Sequence, residues 1–184
     1  AVLYPTGGLA YGRIVDVDYA IAVCSAYNDW LTDAYSQVDG RFKGMALIPM
    51  QEPQAAVEEL RRAVTDLGMS GAMLPSTGLM THLGAKTYWP IYEEAQRLGC
   101  GLAIHGGAHQ DMGMNTLNVF AAIHAVGHPV GIMLGLASLV FNGVFDKFPT
   151  LKVAFLEGGV GWFLMALERF AGSYGSFKPY DPRG

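Results

Sequence analysis

His105 follows Gly101-Leu102-Ala103-Ile104 and precedes Gly106-Gly107. Small and apolar residues ending in an imidazole and two glycines read as a buried strand whose last side chain meets open backbone. Neutral imidazole is the commonest protein ligand of zinc and suits other first-row metals. The plainer alternative is a core histidine bonded to a carbonyl. Glu157 holds the matching place in Phe155-Leu156-Glu157-Gly158-Gly159. A carboxylate at the end of an apolar run is costly to bury unpaired, so it calls for a metal, a cation or a proton. Desolvation there would suit it to general acid–base work; a structural ion pair is the alternative.

The other histidines carry weaker signals. His109, in the loop after His105, could be a second ligand, a proton shuttle or a substrate contact, or simply a surface residue. His124 and His128 share a helix face at i, i+4 spacing but lack the intervening glutamate of HExxH, so helix packing or an interface is the better reading. His82 sits in a loop that could border the same mouth. Tyr4, Thr6, Met50, Gln51 and Ser76 fall at or just past strand ends; Tyr4, Met50, Ser76 and His109 are the candidate substrate contacts. No GxSxG elbow appears, and neither cysteine is placed as a nucleophile. Cys24 and Cys100 are far apart and read as buried small hydrophobes.

Five short apolar runs must carry these residues: 1–4, 45–48, 71–74, 101–104 and 152–156. Each is apolar on both faces, as buried parallel strands are. Each stops at proline or paired glycine, so the chemically useful residues gather at the strands' C-terminal ends. Helical patterns separate the runs. Asp16 or Asp18 caps the first, Pro53 opens the second and Thr87 caps the third, with Gly68 and Gly99 as stops. Residues 115–148 read as two helices broken near His128-Pro129, and the last helix spans about 161–174, with a loop-like tail from 177 to 184. Repeated strand–helix units imply parallel pairing with right-handed crossovers. Gly158-Gly159-Val160-Gly161 lacks GxGxxG spacing and there is no Walker lysine, which disfavours a nucleotide-binding doubly wound sheet. The expected fold is therefore α/β, a partial TIM (β/α)₈ barrel with its site at the C-terminal strand ends. Residues 1–184 form a single domain with five of the eight units.

The 184 residues are 51% hydrophobic and 15% charged, which excludes a disordered chain. A formal net charge of −4 with no basic run gives nucleic acid no purchase. No basic leader precedes residue 1, and the apolar stretch 130–145 is shorter than a membrane span of roughly 18–20 residues. A soluble, cytoplasmic protein acting on a small molecule, with no membrane or nucleic-acid partner, is expected. Unpaired sheet edges and that apolar stretch point to a homo-oligomer.

The sequence resembles the amidohydrolase-related family that includes aminocarboxymuconate semialdehyde decarboxylase. The likeness runs through Ala26-Tyr27-Asn28-Asp29-Trp30-Leu31, Gly40-Arg41-Phe42, Ile48-Pro49-Met50-Gln51, Tyr88-Trp89-Pro90-Ile91-Tyr92, Ile104-His105-Gly106-Gly107 and the stretch from Phe148-Pro149 to Glu157-Gly158-Gly159-Val160-Gly161-Trp162. The resemblance implies a distorted (β/α)₈ barrel with one divalent metal, usually zinc. It places His105 as the metal ligand on the family's fifth strand. The family's other ligands, a His-x-His or Glu-x-His on its first strand and an aspartate on its eighth, have no counterpart here. Related decarboxylases carry a catalytic histidine where this chain has Glu157. The leading expectation is therefore a metal-dependent hydrolase acting on a small cyclic or carboxylated substrate through metal-activated water, with Glu157 catalytic. The alternatives are a non-oxidative decarboxylase of aromatic or muconate-like acids, and a non-catalytic partial barrel stabilised by association.

Overall fold

Five short strands pair in the order in which the chain makes them. β1 (Val2–Leu3), β2 (Lys43–Leu47), β3 (Gly71–Pro75), β4 (Gly101–His105) and β5 (Lys152–Phe155) form one parallel sheet ordered β1-β2-β3-β4-β5 in the computed structural model, which describes residues 1–109 and 112–180. A doubly wound sheet reverses its order at a switch point. This sheet does not reverse, and every crossover contains a helix, so it is part of a (β/α)₈ barrel curled as a half-barrel.

Backbone chemistry fixes the strand ends. Gly71 pairs with Gly101 at the start of the β3–β4 ladder, and a Cβ on Gly71 would overlap the Gly101 carbonyl. β1 is shorter than the predicted run, because Pro5 has no N–H to extend it. A side chain serves β2 further along: buried Asn28 accepts from Leu47 N at 2.9 Å and donates to Leu47 O at 2.8 Å.

The helices largely follow their predicted signals. α1 (Val17–Leu31) is capped by Asp16, which accepts from Tyr19 N at 2.9 Å, and runs on through a π turn at Thr32–Ser36. α2 (Pro53–Thr65) begins on Pro53 and buries Val57 and Leu60. α3 (Trp89–Leu98) buries Ile91 and Ala95 and ends at Gly99 with φ +66°. Thr87 does not cap it; a 3₁₀ turn, Lys86–Tyr88, leads in instead. The expected break at His128-Pro129 is also absent. α4 (Phe120–Phe141) is one helix with Pro129 inside, followed by short α5 (Val144–Lys147). An interior proline costs about 3 kcal/mol; burial of Ile132, Leu136 and Leu139 on the same helix offsets it. α4 is long and apolar enough to cross a membrane by length and composition, but its glycines pack against the strand ends.

The core lies between the sheet and its helices, where Leu47, Ile48, Leu60, Leu74, Ile91, Tyr92, Leu102 and Ile104 are buried. Cys24 and Cys100 are free and buried there, as expected. Burial pushes the Cys24 thiol up to about 12. The far side is open. α6 (Gly161–Phe177) buries only Ala166, and Val160 and Leu164 are 70% and 64% exposed.

Candidate metal centre

The centre forms where β4 and β5 end side by side. Ile104 pairs with Phe155, and Leu156 N donates to Ile104 O at 3.0 Å, so the ladder runs one residue past β5. Glu157 then leaves the strand with φ +64°, in the left-handed region. Its carboxylate reaches the last residue of β4: Glu157 Oε2 lies 3.3 Å from His105 Nε2.

His105 is 5% exposed, and its Nδ1 lies 3.0 Å from Gly106 O. A carbonyl only accepts, so Nδ1 carries the proton and neutral His105 presents a lone pair at Nε2. That lone pair faces a carboxylate oxygen, also an acceptor. Two acceptors at this distance need a proton or a cation between them. In a tetrahedral site with bonds of about 2.0–2.1 Å, neighbouring ligand atoms stand about 3.3 Å apart. The His105–Glu157 pair thus fits a divalent ion, and the Nδ1–H bond to a carbonyl is the support that metal-bound histidines receive.

A third group, His128 of α4, joins them. One ligand atom each from His105, His128 and Glu157 falls within 4.8 Å of the others. The His105 and His128 rings meet edge to face, with centroids 5.0 Å apart. His128 Nε2 lies 2.9 Å from Leu156 O, so it carries the donor proton. The other edge of the ring rests on Gly106, where a Cβ would overlap it. The sequence reading placed His128 in helix packing; it packs, but against the two strand ends that carry His105 and Glu157. The missed signal was Gly127, Gly131 and Gly135, spaced by four on one face, which lets α4 approach closely.

The remaining candidates divide. Tyr4 stands near His105, with ring centroids 6.5 Å apart. His109 lies on Gly127, and desolvation, then repulsion from His128 and His124, holds its pKa below the usual imidazole value. Met50 and Ser76 are buried, at 2% and 8% exposed. Ser76 N donates to His105 O at 2.8 Å, while its buried Oγ, close to Gly131, has no partner among the described residues. His82 and His124 are exposed. A cleft of about 540 Å³ includes Tyr4 and Thr6, while one of about 1110 Å³ lies away from His105, between α4 and α6. The paired imidazole and carboxylate, rather than cleft size, mark the site.

Comparison with known proteins supplies the family. Residues 6–177 match the family model described as amidohydrolase. The chain is 31% identical over 140 residues to 2-amino-3-carboxymuconate-6-semialdehyde decarboxylase of Dictyostelium discoideum, covering 76% of this chain and 38% of that protein. It is 31% identical over 171 residues to gamma-resorcylate decarboxylase of Rhodococcus jostii, covering 83% and 50%. The chain thus spans half or less of the length of these relatives. Among solved structures, a dihydroxybenzoic acid decarboxylase of Polaromonas sp. with bound manganese and the inhibitor 2-nitroresorcinol superposes with a TM-score of 0.68 at 26% identity, covering 79% of this chain and 46% of that one. A family match across nearly every residue, on a sheet of barrel topology with its histidine at a strand's C-terminal end, settles the kinship: the chain belongs to the amidohydrolase family.

Proposed function

We propose that the protein, in its full-length form, is a metal-dependent decarboxylase of aromatic or muconate-like acids. The observation that carries the choice of reaction is that similar proteins of known name, at 31% identity, are decarboxylases of such carboxylic acids. The geometry supports the chemistry. His105 Nε2, held by the Nδ1 bond to Gly106 O, would hold the ion, with Glu157 Oε2 facing it. When bound, a divalent ion supplies positive charge that orients the substrate's oxygens and stabilises negative charge on them. Zinc is the ion expected from the sequence; the manganese of the Polaromonas structure makes that ion the other choice to test.

Loss of CO₂ leaves its bonding pair on a substrate carbon, and a proton must arrive there. Glu157, whose exposed side chain ends beside His105, is the proposed route by which a proton from water reaches that carbon, in place of the desolvated acid expected from the sequence. Tyr4 and His109, beside the centre, are the proposed substrate contacts. Ser76, bonded to His105 O, would act from behind the centre, while Met50 lies in the core.

Hydrolysis is the second reading. It rests on the same exposed carboxylate, which has water within reach. One experiment separates them: full-length protein loaded with Mn²⁺ or Zn²⁺ is given hydroxybenzoic and muconate-like acids, then esters, lactones and amides. CO₂ release supports decarboxylation, and hydrolysis without CO₂ replaces it. H105A with unchanged metal content and rate would sink the ligand assignment. E157Q losing activity with metal retained would support proton transfer.

A further inference from the structure

We infer that His128 is a positioning residue: its imidazole ties β4 to β5 and sets the separation of His105 from Glu157. This rests on the metal reading of the His105 centre proposed above. His128 touches the residue beside each partner. Its Nε2–H donates to Leu156 O, the last carbonyl before Glu157, and its ring lies on Gly106, the residue after His105. Its Nε2–H is taken by a carbonyl, the ring edge that carries Nδ1 lies over the Gly106 backbone, and the residue is 8% exposed. Such a ring is placed to hold, and poorly placed to reach a substrate.

The bond matters because of where it falls. Leu156 N is already bound to Ile104 O, so the His128 bond fixes the other end of the same residue. With both ends of Leu156 held, the left-handed turn at Glu157 starts from a set point. Gly106 completes the device, since any Cβ there would push the ring away. Removing an outer-shell partner of a metal ligand typically weakens metal affinity 10–100-fold.

The test is Co²⁺ affinity of the full-length protein, read from visible absorption against a competing chelator. H128A is expected to weaken binding about 10-fold or more. H128Q, whose Nε2 can still donate to Leu156 O, should stay within about threefold of the unsubstituted protein, the rescue that marks the bond as the cause. G106A should weaken binding as H128A does, and add nothing in the H128A background, where the ring is gone. Melting temperatures are recorded alongside, because a merely structural histidine would lower them without moving affinity. Unchanged affinity in H128A, no rescue by H128Q, or additive losses in the double variant would overturn the inference. If H128A does not fold, unchanged affinity in G106A overturns it. Failure of the unsubstituted protein to take up Co²⁺ would overturn the metal reading and this inference together. Metal uptake without CO₂ release would overturn only the decarboxylase reading.

Discussion

Among the described residues Glu157 alone combines a Cβ with a positive φ, +64°. Left-handed backbone costs an L-residue roughly 1–2 kcal/mol, and glycine is spared it. Glycine carries an opposing cost of about 0.5–1 kcal/mol from the freer unfolded chain. Together these make E157G more stable than E157A by about 0.5–1 kcal/mol, whereas at an ordinary helix or strand position alanine leads by a similar amount. Both variants lack the carboxylate, so their difference isolates the backbone. The side chain is 69% exposed and its approach to His105 is solvent-screened, so its loss costs little. E157G should therefore match or exceed the unsubstituted protein in stability while losing metal-dependent activity. Urea unfolding followed by far-ultraviolet circular dichroism, with m-values compared, measures this. E157A as stable as E157G, or more so, would refute the strain argument. The expected pattern would mean that stability is given up to aim one carboxylate, as strained backbone at functional sites commonly does.

Asn28→Ala removes the partner of both Leu47 backbone groups and should cost about 3 kcal/mol in urea unfolding; a loss under about 1 kcal/mol would mean that water replaces the amide. Glu94 is held at about 2, below its ordinary value of 4.5, first by the Arg97 guanidinium and then by Arg61. Its contribution is therefore complete above about pH 4.5 and fades as pH falls toward 2. With Arg61 and Arg97 side chains 48% and 58% exposed, screening limits it to about 1–2 kcal/mol. E94Q should show a correspondingly flatter stability profile between those pH values, and an unchanged profile would reject the pairing as its cause. Gly71→Ala drives a Cβ into the Gly101 carbonyl and should cost about 3 kcal/mol or more, because backbone on both strands must move. Soluble G71A with an unaltered melting temperature would contradict the register.

The half-barrel was legible because its signals are local. Residues 71–74 and 101–104 are apolar on both faces, and the ladder runs one pair past both runs, through Pro75 and His105, before the chain turns away. α1 and α3 carry their stops and starts in Asp16 and Gly99, single residues with single conformational preferences. α4 was misread for the converse reason. Pro129 is a strong local breaker, but Ile132, Leu136 and Leu139 find cover elsewhere in the chain, and that burial outweighs it. β1 was overextended because residues 1–4 have strand character, yet pairing past Leu3 fails at Pro5.

The site divides along the same line, and the division explains why the reaction is harder to read than the fold. His105 and Glu157 stand at strand ends, so period and terminators alone place them together. His128 reaches them only because three glycines let a helix descend, a property of packing that no spacing of histidines announces. Hydrolysis and decarboxylation ask the same of these residues: a ligand for a cation and a carboxylate that moves a proton. They differ in which substrate bond faces the carboxylate, and the pocket walls decide that. Glu157 in place of a histidine therefore weighs less than it does in the sequence alone. Its aim is set by backbone held at Leu156 from both ends, one of them by the α4 imidazole.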